Sequence, residues 1–193
     1  MNDTWDEYAE DWDANGDVVA YSNKAFQKLT EIVSLEGLEV FDFGCGTGQL
    51  TEKLSPLVKN VVALDTSRKM IEILEAKNLA NVTAICDQLA NLNGLKAATG
   101  HSTFDLVTAS SVCAFVTDYP DTAQRLKSIL KPQGIFVQWD WYSESEASGP
   151  GFTKDRIQEV LEGVGFSIVT VSTAFTMASP EGEMTVLMAV GKL

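Results

Sequence analysis

A chain of 193 residues with 45% hydrophobic and 21% charged residues has the composition of an ordinary soluble globular protein, long enough for one buried core. The formal net charge of -13, without any cluster of Lys and Arg, argues against a nucleic-acid partner. No apolar run approaches the length of a membrane span, and the acidic start "MNDTWDEYAEDWD" lacks the apolar core of a signal peptide, so we expect no membrane partner and no leader.

The predicted elements alternate between strand and helix from residue 37 onward. Short apolar runs predict strands, and apolar residues at helical spacing predict helices. In chain order the predictions are a helix at about 17–33, a strand at 37–43, a helix from Thr47 or Gly48 that Pro56 bends or ends, a strand at 60–65, a helix at 66–77 capped by Thr66 or Ser67, strands at 81–87 and 103–110, a helix within the stretch 119–134 that includes Ile129 and Leu130 and has Pro132 and Gly134 past its end, a strand at 135–141, a helix at 153–165, and strands at 166–175 and 184–193.

This alternation predicts a parallel sheet with helices on both faces. Only a short polar link, 176–183, separates the last two strands, so they should be antiparallel neighbours. The predicted fold is a doubly wound, mostly parallel seven-stranded α/β sheet with an antiparallel C-terminal hairpin. We expect a single domain over 1–193, in which 1–36 forms an N-terminal helical lid and 37–193 forms the α/β core.

The three cysteines, Cys45, Cys86 and Cys113, stand far apart and form no CxxC pair. An odd number of separated cysteines predicts free thiols in a reducing compartment, so we expect a cytoplasmic protein and no metal. The single histidine, His101, lies in a polar loop before the fourth strand. That loop should lie at the far end of the sheet from a ligand site, so we expect a solvated side chain.

The stretch "VFDFGCGTGQL", residues 40–50, carries Gly44, Gly46 and Gly48 where the first strand turns into the first helix. In open α/β sheets, ligands bind outside the carboxyl ends of the strands, near this turn. Glycine permits positive φ and lets the backbone approach a ligand closely. A tight turn with close helix packing is the alternative explanation.

Acidic residues follow at the ends of the next two strands. Asp65 comes about 20 residues after the glycine loop, where a carboxylate can accept hydrogen bonds from both ribose hydroxyls. Asp87 ends the third strand, with Gln88 next to it, where a base edge can be bound. Either acid alone is equally well a helix cap or a solvated turn. Together with the loop they predict a nucleoside-containing ligand, and the spacing matches neither GxGxxG nor a P-loop, which needs a Lys.

The motifs "VFDFGCGTGQL", "VVALDTS", "AICDQL", "FDLVTASSVCAFV" and "LKPQGIFV" together resemble the successive motifs of class I S-adenosylmethionine-dependent methyltransferases. The most similar type is the small stand-alone enzymes grouped as methyltransferase type 11 or 12. The resemblance covers residues 38–141 by motif and the rest by strand pattern, including the antiparallel seventh strand. It implies a Rossmann-like methyltransferase fold with S-adenosylmethionine as cofactor and S-adenosylhomocysteine as product.

Residue by residue, the resemblance implies a cofactor site along the first four strands. Gly44, Cys45, Gly46 and Gly48 would surround the methionine part with their backbone, and Asp42 would help to hold its amino group. The other implied contacts are Asp65 at the ribose hydroxyls, Thr66 and Met70 beside the ribose or adenine, Asp87 at the adenine amino group with Gln88 adjacent, and Ala109 and Ser110 at the methionine and sulfonium region.

The implied reaction is direct in-line displacement of the methyl group by a small-molecule acceptor, which needs no covalent nucleophile. A general base is needed only when the acceptor loses a proton late. Cys113 follows the fourth strand, where some RNA cytosine methyltransferases carry a catalytic cysteine. Val112 replaces the proline that precedes that cysteine, so we expect Cys113 to be a packed side chain and assign no catalytic residue.

Aromatic side chains mark the expected acceptor site. The N-terminal segment carries several and can fold over the strand ends as a lid, and others follow the fourth and fifth strands. The candidates are Trp5, Tyr8, Trp12, Tyr21, Phe115, Trp139 and Trp141. Residues alternate along a strand, so Trp139 and Trp141 should share one face and Asp140 should lie opposite. The alternative is that these rings only anchor the segment or pack under a helix.

Two other function classes remain open at this point. The alternative is a cofactor-binding module that is non-catalytic or regulatory; the intact glycine loop and both acids argue against decay of the cofactor site, and the missing general base does not distinguish the two. A nicotinamide oxidoreductase is the third possibility, which binding of nicotinamide nucleotides would test.

Overall fold

The computed structural model describes residues 3–89, 100, 103–145, 149–180 and 182–193. His101 lies outside these residues. In chain order the elements are α1 (Asp3–Asp6), α2 (Ala9–Trp12), α3 (Gly16–Ile32), β1 (Glu39–Phe43), α4 (Gln49–Leu54), a 3-10 turn (Ser55–Leu57), β2 (Asn60–Asp65), α5 (Arg68–Ala76), β3 (Val82–Cys86), β4 (Phe104–Ser110), a 3-10 turn (Cys113–Phe115), α6 (Tyr119–Ser128), β5 (Leu130–Trp141), α7 (Lys154–Gly163), β6 (Ile168–Ser179) and β7 (Gly182–Lys192).

One seven-stranded sheet runs in the order β3-β2-β1-β4-β5-β7-β6. The first five strands pair in parallel, whereas β7 is antiparallel to both β5 and β6. The predicted fold class is therefore confirmed. From β1 the sheet grows in opposite directions, through β2 on one side and β4 on the other, and this switch point opens a crevice at the carboxyl ends of the strands.

Most predicted elements are confirmed, but two boundaries are wrong. The helix predicted to include Ile129 and Leu130 ends at Ser128, and β5 already begins at Leu130, opposite Phe104, with an irregularity in the register before Ile135. A proline disfavours helical geometry at the residue before it, so Pro132 disfavours helix at Lys131. The link predicted at 176–183 is shorter because β6 and β7 stay paired up to Ser179 and Gly182. The short helices α1 and α2 were not predicted.

The two faces of the sheet bury separate hydrophobic clusters. One packs β-strand residues such as Phe41 and Phe136 against α6 and α7. The other packs Val40 and Trp139 against α3, α4 and α5. Helices on both faces hold the strands rigidly, so the loops at the carboxyl ends are anchored on both sides.

All three cysteines are buried or half-buried thiols. Cys45, Cys86 and Cys113 are free, as predicted, and burial raises the pKa of each thiol. Within the described ranges, no helix combines the length and apolar character that crossing a bilayer requires.

Gly191 in β7 tests how tightly α7 and the C-terminal strands pack. A Cβ at this position would lie 2.8 Å from Cδ1 of the buried Phe166 ring. We expect Gly191→Ala to lower the free energy of unfolding by about 1–3 kcal/mol because the ring must shift in a packed core. Urea denaturation measures this as a lower midpoint, with an unchanged slope of the free energy of unfolding against urea concentration.

The matched control is Gly163→Ala at the end of α7, where an added methyl group meets open space. It should leave the free energy of unfolding unchanged or raise it by up to about 1 kcal/mol, because alanine favours a helix more than glycine does. Equal effects of the two substitutions would contradict the packing described here.

Candidate active site

The glycine loop between β1 and α4 is tied to the end of β2. The N–H groups of Gly44 and Cys45 donate to the Leu64 carbonyl at 2.8 Å and 3.1 Å. Gly48 has φ +84°, and a Cβ there would lie 2.4 Å from Leu74, so this glycine serves close helix packing. At Gly46 the nearest atom to such a Cβ is Trp12 Nε1 at 3.6 Å. The loop therefore combines a packing glycine, Gly48, with one at Gly46 where a side chain would meet Trp12 and Met70 at ordinary contact distance.

Asp65 joins this loop to the start of α5. Its Oδ2 accepts a hydrogen bond from the Gly46 N–H and its Oδ1 accepts one from the Ser67 N–H, both at 2.9 Å. Burial raises the pKa of Asp65, although backbone N–H groups oppose the shift. Each carboxylate oxygen has a second acceptor position, so the group can also bind ligand hydroxyls.

Asp42, on β1, is a second carboxyl group at the base of the same crevice. It is 1% exposed and accepts hydrogen bonds from the Thr51 hydroxyl at 2.6 Å and the Thr108 hydroxyl at 2.8 Å. Burial raises the pKa of Asp42 to about 6, against the effect of the two hydroxyl groups. Its charge therefore changes between weakly acidic and neutral pH.

Residues 3–15, here called the cover segment, lie over the glycine loop. The Asp13 carboxylate accepts hydrogen bonds from the Thr47 hydroxyl and, at 2.8 Å, from Gln49 Nε2, and it pairs with Lys77 at 3.0 Å. Burial opposes ionisation of Asp13, but these three partners outweigh it and hold its pKa below the ordinary value. Asp13 thus attaches the segment to the loop.

A second carboxylate attaches the cover segment to α5. Asp6 accepts hydrogen bonds from the Ser67 hydroxyl and from the Lys69 N–H at 3.3 Å. The Ser67 hydroxyl contributes most to lowering the pKa of Asp6. Since Ser67 itself caps α5 by accepting from the Met70 N–H at 3.2 Å, Asp6 extends the cap of that helix.

Aromatic rings close one side of the crevice. The Trp5 ring meets Trp12 at 6.1 Å and Phe115 at 5.2 Å between centroids, both edge-to-face. Phe115 belongs to the 3-10 turn after β4, so the cover segment reaches across the strand ends. Such pairs contribute about 0.5–1.5 kcal/mol each beyond their buried area.

The crevice encloses a cavity of about 860 Å³. Most of the predicted site residues line it together. These are Asp42, Gly44, Cys45, Gly46, Asp65, Thr66, Met70, Gln88 and Ser110 among the cofactor candidates, and Trp5, Trp12, Tyr21, Phe115 and Trp141 among the acceptor candidates. The sequence pattern therefore selected residues of which most line one cavity.

Five candidates do not line the cavity: Gly48, Asp87, Ala109, Tyr8 and Trp139. Trp139 is fully buried in the core beneath α3 and α4, which corrects the expectation that it lines the acceptor site, although it shares a face with Trp141 as predicted. Tyr8 is 54% exposed on the outer side of the cover segment. Ala109 is buried in the core, and Asp87 accepts from the Gln88 N–H at 2.7 Å.

A buried polar chain under the Cys113–Phe115 turn was not predicted. Asp140 accepts hydrogen bonds from the Ala114 N–H at 3.2 Å and from Gln138 Nε2 at 3.0 Å, and the Tyr119 hydroxyl donates to Gln138 Oε1 at 2.6 Å. Burial raises the pKa of Asp140 to about 8. The chain fixes the turn that carries Phe115. The alternation of residues along a strand predicted only that Asp140 lies on the opposite face of the sheet from Trp139 and Trp141, and this is confirmed.

Two hydroxyl groups of α3 were also missed as polar groups of the site. Tyr21 Oη and Ser22 Oγ are buried, and neither has a hydrogen-bond partner among the described residues. Both side chains line the cavity. A buried polar group without a partner lowers the stability of the fold by about 1–3 kcal/mol, so both hydroxyl groups are unfavourable as long as they lack a partner.

In the same described ranges, no group of three His, Cys, Asp or Glu residues is arranged to hold a metal ion.

Known proteins resemble the chain in sequence and in fold. A family model described as a methyltransferase domain matches residues 41–138, about half of the chain. An uncharacterised methyltransferase of Schizosaccharomyces pombe (strain 972) is 29% identical over 151 residues, which are 74% of this chain and 53% of that protein. The chain spans about half the length of the curated relatives it matches.

Two solved structures share the fold. A chain in the complex between the Haloferax volcanii Trm112 methyltransferase activator and a methyltransferase superposes with a TM-score of 0.80 at 18% identity, covering 98% of this chain and 97% of that one. Magnesium protoporphyrin IX methyltransferase from Synechocystis PCC 6803, with bound S-adenosylmethionine, superposes with a TM-score of 0.67 at 19% identity, covering 90% and 79%.

Asp13 provides a test of how the cover segment is attached. We expect Asp13→Ala to release the segment because Thr47, Gln49 and Lys77 lose their shared carboxylate. Quenching of tryptophan fluorescence by acrylamide should increase, and limited proteolysis should cut within residues 3–15 sooner than in the wild type.

The control is Asp11→Ala in the same segment, since Asp11 is exposed. It removes the same charge and should leave quenching and proteolysis unchanged. If both variants behave like the wild type, Asp13 does not hold the segment in place.

Proposed function

The chain belongs to the family of methyltransferase domains, and we propose that it transfers a methyl group from S-adenosylmethionine to a small-molecule acceptor by direct in-line displacement. S-adenosylmethionine is the cofactor and S-adenosylhomocysteine the product. The observation that carries the proposal is the cavity at the switch point of the sheet, which Asp42, Gly46 and Asp65 line together.

The donor set at this cavity fits a nucleoside joined to an amino acid. Gly46 has no side chain and lines the cavity, so an amino-acid group can approach the loop backbone there, and Asp42 would help to hold an ammonium group. Asp65 would accept the ribose hydroxyls. The other proposed contacts are Gly44, Cys45, Thr66, Met70, Gln88 and Ser110. Gly48, Asp87 and Ala109 remain predictions, since they lie outside the cavity lining.

When bound, the cofactor supplies a methyl group on a positively charged sulfur. The carboxylates of this chain favour binding of that cation more than the chemical step, because the charge disappears as the methyl group leaves. The Trp5, Trp12 and Phe115 rings line the cavity and reduce its contact with solvent on that side. Holding donor and acceptor near attack distance can lower the barrier by roughly 7–11 kcal/mol in favourable systems, so no covalent nucleophile is required.

The concave shape of the cavity and the net charge of -13 support a small molecule rather than a nucleic acid as the acceptor. The Synechocystis relative of the same fold is named for magnesium protoporphyrin IX, which is also a small molecule. The chain's own acids would repel a phosphate backbone.

The alternative proposal is a cofactor-binding module without turnover. The Haloferax volcanii neighbour occurs with an activator, so a partner-dependent domain is also compatible with this fold. Transfer of labelled methyl groups from S-adenosylmethionine to a panel of small molecules separates the two. Cofactor binding without transfer to any of them would favour the binding module.

Asp65 provides the direct test of cofactor binding. We expect Asp65→Asn to weaken S-adenosylmethionine and S-adenosylhomocysteine by about 10- to 150-fold, since a hydrogen bond to a charged group contributes about 1.5–3 kcal/mol. Calorimetric titration with both compounds and with NAD measures this. The wild type should not bind NAD.

Asp105→Asn is the matched control for that titration. Asp105 also accepts a backbone hydrogen bond, from the Glu39 N–H at 2.8 Å, but at the opposite end of the sheet. Its substitution should leave cofactor affinity unchanged. Binding of NAD, or of none of the three compounds, would contradict the proposed cofactor.

The raised pKa of Asp42 predicts a pH dependence of cofactor affinity. Asp42 is neutral below a pKa of about 6 and can then no longer attract an ammonium group. Affinity for S-adenosylhomocysteine should therefore fall by up to about tenfold per unit as the pH drops below 6. Titrations at pH 7.5 and pH 5 measure it. In Asp42→Asn this part of the pH dependence should vanish, and its persistence would assign it to another group.

A further inference from the structure

We propose, on the basis of the proposed function, that the part of the cavity between α3, β5 and β6 binds the acceptor, and that the Tyr21 and Ser22 hydroxyls hydrogen-bond a neutral, largely apolar molecule there. The Tyr21 and Ser22 side chains together with Ser111, Trp141, Met177 and Met184 are called the acceptor subsite below.

The order of the strands separates this subsite from the proposed cofactor contacts. The glycine loop and Asp65 belong to β1 and β2, on one side of the switch point. Trp141 ends β5, and Met177 and Met184 face each other across β6 and β7, on the other side. The same cavity spans both sides, so an acceptor on the β5 side can meet a methyl donor on the β1 side.

Tyr21 is held firmly at the wall of the subsite. Its ring lies 5.2 Å from the Trp141 ring and 5.2 Å from the Phe175 ring, measured between centroids. Burial raises the pKa of Tyr21 well above its ordinary value, and the nearby carboxyl group of Asp140 adds to this. The hydroxyl therefore keeps its proton at neutral pH and remains a hydrogen-bond donor.

The hydroxyl groups themselves point to a ligand. Ser22 is the neighbour of Tyr21 on α3, and within the described ranges neither hydroxyl is matched by a protein partner. The Ser111 side chain approaches the Tyr21 hydroxyl and lowers its pKa by a hydrogen-bonding interaction, but the geometry of the pair falls short of a full hydrogen bond. Ser111 also has φ +55°, a strained conformation for serine, at the cavity wall after β4. Unsatisfied polar groups and strain at one cavity are the pattern of a functional site.

The surroundings limit the chemistry of the occupant. Trp141, Met177 and Met184 give the subsite apolar walls, and the flexible methionines can reshape around a bound molecule. The acids Asp17, Asp118 and Asp121 also line the cavity, and its one described cation, Arg125, pairs with Asp121 at 2.6 Å. An anionic acceptor would be repelled, whereas a neutral hydroxyl or amine on an apolar body matches the two hydroxyl groups.

Ligand-observed NMR with simple probes tests the acceptor subsite. Phenol and benzyl alcohol carry a neutral hydroxyl on an apolar ring, and benzoate is the anionic counterpart. With the protein saturated by S-adenosylhomocysteine, we expect both neutral probes to bind and benzoate to bind at least about tenfold more weakly, as like charges repel in a site of low polarity.

Tyr21→Phe removes one hydroxyl and keeps the ring packing, and Ser22→Ala removes the other. Each should weaken phenol by about fivefold or more, consistent with the loss of one hydrogen bond. Affinity for S-adenosylhomocysteine and the melting temperature should not fall. The control is Tyr142→Phe, an exposed tyrosine beside Trp141 that does not line the cavity, and it should bind all probes like the wild type.

The outcomes separate this proposal from the proposed function. If S-adenosylhomocysteine fails to bind the wild type, the cofactor assignment fails before the subsite is reached. If it binds but phenol does not, or if phenol binds Tyr21→Phe and Ser22→Ala as tightly as the wild type, the acceptor subsite is overturned. Benzoate binding as tightly as phenol would overturn the inferred preference for a neutral acceptor.

Discussion

The Asp65 carboxylate is the contact on which the geometry of the site depends. It holds the Gly46 and Ser67 N–H groups at equal distances, so the glycine loop and the start of α5 are fixed to the end of β2 at one point. Ser67 in turn carries the Asp6 contact of the cover segment. Because these attachments start from a rigid parallel strand, the loop can hold its backbone in place before any ligand arrives.

Carboxyl groups dominate the surroundings of the cavity, and the charge state of each is controlled by different neighbours. Asp13 is stabilised in its charged form by an ion pair and hydrogen bonds, whereas burial favours the neutral form of Asp42. Asp6 raises the pKa of Asp65, so bringing the cover segment onto the loop has an electrostatic cost. A bound cation would reduce this repulsion between Asp6 and Asp65.

The parts of the structure that repeat a simple pattern were predictable from sequence. Apolar runs located the parallel strands, and the glycine loop with Asp65 located the cavity. Long-range contacts were not predictable. Trp139 and Trp141 have the same residue type and face, but only the position of α3 and α4 decides that the first is buried. The partners of Asp6 and Asp13 lie far away in sequence, and the unpartnered Tyr21 and Ser22 hydroxyls become evident only when every neighbour is placed.

The position of β7 has a consequence for the order of assembly. β7 follows β6 in the chain but lies between β5 and β6 in the sheet, so β6 has no strand neighbour in this sheet until β7 is inserted. As the chain leaves the ribosome, β1 to β5 can pair as they emerge, whereas β6 has to remain an unpaired strand. During synthesis β6 therefore exposes unpaired backbone groups until the C-terminal hairpin forms, and such a strand can pair with other chains.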